Sequence, residues 1–223
     1  MKIRRGCPWL AFPILGSLLA LSFRATETDW QTFSASRNLQ PAEVFLYLPD
    51  GQTLRLLEVP HADATPSIFL GAQEITREQF RAYDPGFQGL PGSAAVSLEQ
   101  ARAYCDWLSA HTGRHVRLPT LDEWRLAARA GHKTAPYPWG FSEDRRPSGL
   151  HFALKAKPAT PGPALGYGFR DLAGGLWEWT AEGSVIGSAW SETNPQTLHL
   201  DTTLSLPADY RDEDTGFRIL LED

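Results

Sequence analysis

Apolar residues recur with a recognisable period in only a few short windows of this chain, and those windows define its elements. Val44-Phe-Leu-Tyr-Leu48 and Leu54-Arg-Leu-Leu57 flank the turn residues Pro49-Asp-Gly51, which predicts a hairpin over Phe45 to Val59. Ile68-Phe-Leu70 keeps strand character and leads into Thr76-Arg-Glu-Gln79, a capping box that opens a short helix toward Tyr83, stopped by Asp84-Pro-Gly86. A second box, Ser97-Leu-Glu-Gln100, starts a helix with Leu98, Ala101, Tyr104, Cys105 and Leu108 on one face and Gly113 at its end. A third, Thr120-Leu-Asp-Glu123, starts a helix with Leu121, Trp124, Ala127 and Ala128 on one face and Gly131 as its stop. From Thr134 to Gly168 the chain is rich in Pro and Gly without a period, as in an ordered loop, and loops are where function concentrates. Short apolar runs resume at Leu176-Trp-Glu-Trp179, Val185-Ile186, Ala189-Trp190 and Phe217-Arg-Ile-Leu-Leu221. Strands and helices in no alternating order predict an α+β, loop-rich domain with two main helices, and no internal repeat is visible.

The N-terminus changes the picture of where the protein works. Lys2, Arg4 and Arg5 precede an apolar stretch from Trp9 to Leu21, and Ala20-Leu-Ser22 suits signal peptidase, so residues 1–22 read as a secretory signal with an uncleaved anchor as the alternative. A periplasmic or secreted location follows, with residues 23–42 as a polar linker and residues 43–223 as one domain. Losing the signal removes three basic residues and moves the net charge from −5 to −8. With no clustered basic surface visible, nucleic acid is excluded as a partner, and no membrane contact is expected beyond the signal segment. Cys7 lies in the signal, leaving Cys105 as the one thiol of the mature chain, placed in the core by its helix face.

The densest cluster of chemistry is Gly166-Tyr-Gly-Phe-Arg-Asp-Leu-Ala-Gly-Gly-Leu-Trp-Glu-Trp-Thr180. Asp171 and Glu178 bracket Gly174 and Gly175, whose tight turn turns carbonyl oxygens inward, an all-oxygen environment of the kind calcium prefers. The same spacing also suits Asp171 as a turn cap and Glu178 as the partner of an arginine. Trp177 and Trp179 alternate with Glu178 as on a half-buried strand. No phosphate-binding loop follows the glycines at 162–168, and no Gly-x-Ser-x-Gly elbow is present.

Several segments, in order, carry a resemblance to the formylglycine-generating enzyme, or sulfatase-modifying factor, domain family. They include Gln73-Glu-Ile-Thr-Arg-Glu-Gln-Phe80, Ala103-Tyr-Cys-Asp-Trp-Leu-Ser109, Arg117-Leu-Pro-Thr120, Glu123-Trp124, Tyr137-Pro-Trp-Gly140, the Gly168 to Thr180 run, Gly187-Ser-Ala-Trp190 and Gly216-Phe-Arg218. The similarity covers about Phe69 to Ile219 and implies a C-type-lectin-like variant with little regular secondary structure. It also implies calcium ligands on the side chains of Asp171 and Glu178 and the backbone oxygens of Gly174 and Leu176, with a melting temperature that falls on adding chelator. A second family calcium site lacks its asparagine at Ser148-Gly-Leu-His-Phe152 and is expected empty. Arg117 and Arg218 match family arginines expected to be structural, each pairing with an acid such as Glu123 or Glu178, and Trp107, Trp124, Trp139 and Trp190 are expected as core anchors.

The resemblance departs at the catalytic centre. The family's oxidases hold copper through two cysteines just after the strand matching Gly187-Ser-Ala-Trp190, because paired thiolates suit Cu(I). The corresponding positions fall at about Glu192 and Thr197, so no copper is expected. Iron is not expected either. The iron-dependent sulfoxide synthases that resemble this domain draw histidines from an extra helical domain, and here only His111 and His115 are four apart, beyond a shared helix face. No catalytic or cofactor-binding residue is assigned. What the resemblance implies is a non-catalytic accessory or regulatory factor that binds another envelope or secreted protein, as does the periplasmic regulator of type VI secretion acting upstream of a membrane kinase. The alternative is an enzyme with an atypical metal centre, or a maturation factor for a siderophore or nitrite-reduction system; a sugar-binding module has no signature here.

Overall fold

A computed structural model describes residues 41–60 and 67–222. The signal and nearly all of the linker expected at residues 1–42 lie outside the described residues. Strands β1 (Glu43–Tyr47) and β2 (Thr53–Glu58) form the N-terminal hairpin, with Tyr47 opposite Thr53 across the Pro49-Asp-Gly51 turn. They join β3 (Ile68–Gly71), β4 (His115–Arg117) and β11 (Leu220–Glu222) in a five-stranded sheet of order β1-β2-β3-β11-β4, antiparallel at every pairing. The last strand thus slots between early ones and closes the domain.

Three helices carry the capping boxes read from sequence: α1 (Arg77–Arg81), α2 (Leu98–Thr112) and α3 (Leu121–Arg129). In each, the Thr or Ser side chain accepts from the N3 backbone N–H while the N3 side chain accepts from the cap N–H, so two orphan donors are satisfied reciprocally. Gly113 ends α2 in the left-handed conformation. Helix α3 stops one residue before its predicted glycine, since Ala130 takes the left-handed cap at φ 46° and Gly131 follows at φ 88°.

The face of α2 packs Tyr104 against Phe80 and Phe217, with ring centroids 5.3 and 5.5 Å apart. Cys105 shares this core at 2% exposure, and burial pushes its thiol pKa far up. With Cys7 replaced by serine, we expect a thiol reagent to modify Cys105 only after denaturation; modification in native buffer at the rate of a free thiol contradicts this packing.

A second sheet, of order β10-β7-β8-β9, contains β7 (Trp177–Trp179), β8 (Ser184–Ile186), β9 (Thr203–Ser205) and β10 (Thr215–Gly216), while β5 (Ala164–Leu165) and β6 (Phe169–Arg170) form a small ribbon. The run Ala189-Trp190 is not a strand, and of Phe217 to Leu221 only the end enters β11. Both sheets press their apolar faces into one core containing Phe80, Trp179, Phe217 and Ile219.

Candidate functional site

Strand β7 is central: Glu178 lies opposite Ile186 of β8 and Gly216 of β10. The half-buried reading of this strand is therefore corrected, because Trp177, Glu178 and Trp179 are all buried and Glu178 is fully so. Its carboxylate accepts from Arg218 Nε at 2.6 Å and Nη2 at 2.5 Å, and from Trp124 Nε1 at 2.7 Å. Arg218, also with no exposure, spends its remaining donors on the carbonyls of Gly71, Arg170 and Asp171. This one ion pair ties β7 to α3, to the end of β3 and to the loop after β6.

Asp171, at φ 55°, sits seven residues before Glu178. Both its oxygens accept from Gly162 N–H, at 3.1 and 3.0 Å, and His151 Nδ1 stands 3.1 Å from Oδ1. That imidazole nitrogen is buried and makes no aligned hydrogen bond, so we read the contact as close but misdirected. Burial opposes the charge of Asp171, yet His151, the Gly162 N–H and Lys157 outweigh it and hold the carboxyl below the usual range.

The glycine pair turns the chain at φ 76° and 81°, and close approach makes both positions intolerant of a side chain. A Cβ on Gly174 would lie 2.1 Å from the His151 carbonyl, and one on Gly175 would lie 2.4 Å from Glu74 Oε1. Glu74 thus reaches the same turn, accepting from Leu176 N–H at 2.5 Å through Oε1 and from Lys157 Nζ at 3.1 Å through Oε2. Burial pushes its pKa up to about 7, the Lys157 ammonium only partly offsetting this and the charges of Asp171 and Glu178 adding to it. Lys157 goes the other way: burial disfavours its charge, but Glu74 and Asp171 prevail and raise its pKa, keeping it an ammonium.

Of the four residues expected to hold calcium, Glu178 is not free to ligate an ion as arranged. Glu178 is turned into the core with each oxygen engaged by Arg218, and one also by Trp124. Among the described residues no group of three or more His, Cys, Asp or Glu is arranged to hold a metal. The acids are instead balanced by the chain's own cations, Arg218 and Lys157. Sequence reasoning paired Glu178 with an arginine as one alternative but missed Glu74, Lys157 and His151.

Arg117 donates to both oxygens of Glu123 at 2.7 Å and also to Glu222, which in turn faces His115 Nδ1 at 2.6 Å. Trp179 donates to the Val96 carbonyl and Trp177 to Glu192 Oε1 at 3.3 Å. Trp124 is fully buried, whereas Trp107, Trp139 and Trp190 are only partly so. Glu192 and Thr197, at the positions of the family's copper cysteines, are engaged by neighbours: Thr197 shares a hydroxyl contact of 2.7 Å with Ser188. A cavity of about 540 Å³ opens beside them, lined by Glu143, Arg146, Phe152, Thr193 and Pro195.

These sheets, helices and loops define a loop-rich α+β domain of the formylglycine-generating type. Residues 90–222 match the sulfatase-modifying factor enzyme 1-like domain, and the chain belongs to that family. It is 32% identical over 151 residues to the inactive C-alpha-formylglycine-generating enzyme 2 of Bos taurus, a match covering 55% of this chain and 48% of that protein. The mouse counterpart matches equally, with 46% of its length covered, so the chain spans about half the length of these curated relatives. Among solved structures, Treponema denticola variable protein 1 superposes with a TM-score of 0.69 at 15% identity, covering 82% of this chain and 100% of that one. PvdO from Pseudomonas aeruginosa does so at 0.59 and 18%, covering 83% and 93%. At such identities the structures show the shared fold alone.

Proposed function

We propose that this chain is a non-catalytic member of its family that acts in the periplasm or outside the cell by binding another protein, as an accessory or regulatory factor. The observation that carries the reading is chemical: no cysteine follows Cys105 in the sequence, and the positions corresponding to the copper-binding pair are a glutamate and a threonine. Neither supplies the soft thiolate that Cu(I) requires, and both are hydrogen-bonded to neighbours. The remaining thiol of the domain is sealed in the core and held protonated by burial. The bovine and murine relatives, which carry the word inactive in their names, support the same reading. A regulator upstream of a secretion kinase is one role of this type.

Copper titration coupled to oxygen uptake tests the proposal. With a cysteine-containing peptide present, oxygen consumption at the rate of the copper-only control is expected. Protein-dependent turnover of the peptide would overturn the binding role and establish an enzyme with an atypical metal centre.

A further inference from the structure

One side of the five-stranded sheet ends in an open edge. Strand β1 closes the order β1-β2-β3-β11-β4, and among the described residues no strand pairs with its outer side. Antiparallel pairing alternates, so every second residue of β1 turns its backbone N–H and C=O toward β2 while the others turn theirs outward. The bonds from Glu58 N–H to the Ala42 carbonyl and from Leu48 N–H to the Gln52 carbonyl fix the phase. The main-chain groups of Val44 and Leu46 therefore meet Leu56 and Leu54, and those of Glu43, Phe45 and Tyr47 point to the open edge.

The side chains follow the same alternation. Leu46 is packed in the core, whereas Phe45 is 45% exposed and Tyr47 68%, so two aromatics stand on the outer face beside the unpaired backbone. Natural edges are guarded by shortness, lysine, proline or a bulge. The opposite edge, β4, has three residues and carries His115 and Arg117, and the edges of the second sheet, β9 and β10, have three and two. Strand β1 has five residues with neither lysine nor proline, and its one charge, Glu43, is already matched by Arg55 across the hairpin.

We propose that β1 is a self-association edge, at which two copies of this chain pair their β1 strands antiparallel about a two-fold axis at Phe45 and join their sheets. The register is what selects a second copy as the occupant. With Phe45 opposite its own counterpart, the outward groups of Glu43, Phe45 and Tyr47 all find partners, and no like charges meet, because Glu43 of each copy lies opposite Tyr47 of the other. On the other face the half-buried Val44 comes opposite Leu46 of the second copy. Pairing consumes both edges and so stops at two. Five residues a side bury less than about 1,200 Å², the class of weak, transient complexes, which sets the affinity on the order of 100 μM. This contact is separate from the partner-binding role proposed above, and either can fail alone.

Sedimentation equilibrium of the unmodified protein tests it. The mass of one chain is expected at about 1 μM and close to twice that mass at about 1 mM. Tyr47→Lys, which places a charge on the edge, should weaken association at least about tenfold. Phe45→Pro deletes an outward N–H that takes no part in the β1–β2 ladder, and should abolish association in a protein that still folds. Leu204→Lys, at an exposed apolar position on the second sheet, should leave association unchanged. If Phe45→Pro does not fold, Tyr47→Lys decides. A protein that remains one chain at about 1 mM, as when another segment or a different partner takes the edge, overturns the proposal. A dimer that keeps its affinity in folded Tyr47→Lys, or that dissolves with Leu204→Lys, overturns it as well.

Discussion

Arg218→Met is expected to destabilise the domain by about 3–5 kcal/mol, the range found when one member of a fully buried ion pair is deleted. The substitution leaves Glu178 with its charge in the core and a single remaining donor, Trp124 Nε1. It also strips the carbonyls of Gly71, Arg170 and Asp171 of the guanidinium donors that join three separate segments. Since whole domains are stable by only about 5–15 kcal/mol, a loss of this size consumes much of the total. The companion variant Arg218→Met with Glu178→Gln separates charge burial from packing: removing both charges should recover part of the loss, because the isolated carboxylate is then gone while Trp124 keeps an acceptor. Urea unfolding monitored by tryptophan fluorescence reads both. A single variant within about 1 kcal/mol of the unmodified protein, or a double variant less stable than the single, contradicts the assignment of this pair as the central tie.

The reach of sequence reasoning is set by how local the determining interaction is. Helices α1, α2 and α3 are legible because Thr76, Ser97 and Thr120 each meet their capping partner three residues later. The hairpin is legible for the same reason, its turn lying between its two strands. Strand β7 is legible as a strand but not in its environment. Alternation of Trp177, Glu178 and Trp179 implies a wet face, whereas Arg218, 40 residues away, brings a matching charge to the dry one. The acid pocket is further still from local rules, since Glu74 contacts Leu176 at a separation of 102 residues and Lys157 at 83. The legible hint was Glu74 itself, a carboxylate set between the apolar Phe69 to Ala72 and Ile75 where a short strand passes into a helix cap. Lys157 and His151 lie in a segment with no period to place them, so nothing local separates them from solvated residues. The calcium expectation joined Asp171 to Glu178, and what sequence could not show is that Arg218, 40 residues further on, engages both Glu178 oxygens.

Raising the pH from about 5 to about 8 is expected to destabilise the protein, and Glu74 is the group that sets this slope. Its pKa in the folded protein is pushed up to about 7, against an ordinary value of 4.5. Across the interval between those values the folded state holds a proton that the unfolded chain has released, so the stabilisation present below about 4.5 is lost as pH rises through 7. The part of the effect that falls between pH 5 and pH 8 is about 2–3 kcal/mol, from roughly 1.4 kcal/mol per unit of pKa difference. Other groups separate from this window by sign or position. Asp171, Glu123 and Glu222 are held below their ordinary values, and their contributions disappear only in acid. Lys157, raised above 10.5, acts only in strong alkali. Asp214 is raised by burial and has the same sign as Glu74, so the decisive comparison is with Glu74→Gln, which cannot ionise yet retains a carbonyl oxygen for Leu176 N–H. Thermal unfolding across the interval should show a falling melting temperature for the unmodified protein and a much flatter profile for Glu74→Gln, the two curves converging toward pH 5. An unmodified protein that grows more stable over this range, or a variant with the same slope, removes Glu74 as the buried proton carrier. The direction of the slope distinguishes this pocket from an ordinary surface carboxylate pair, whose stabilisation grows with pH as the acid ionises.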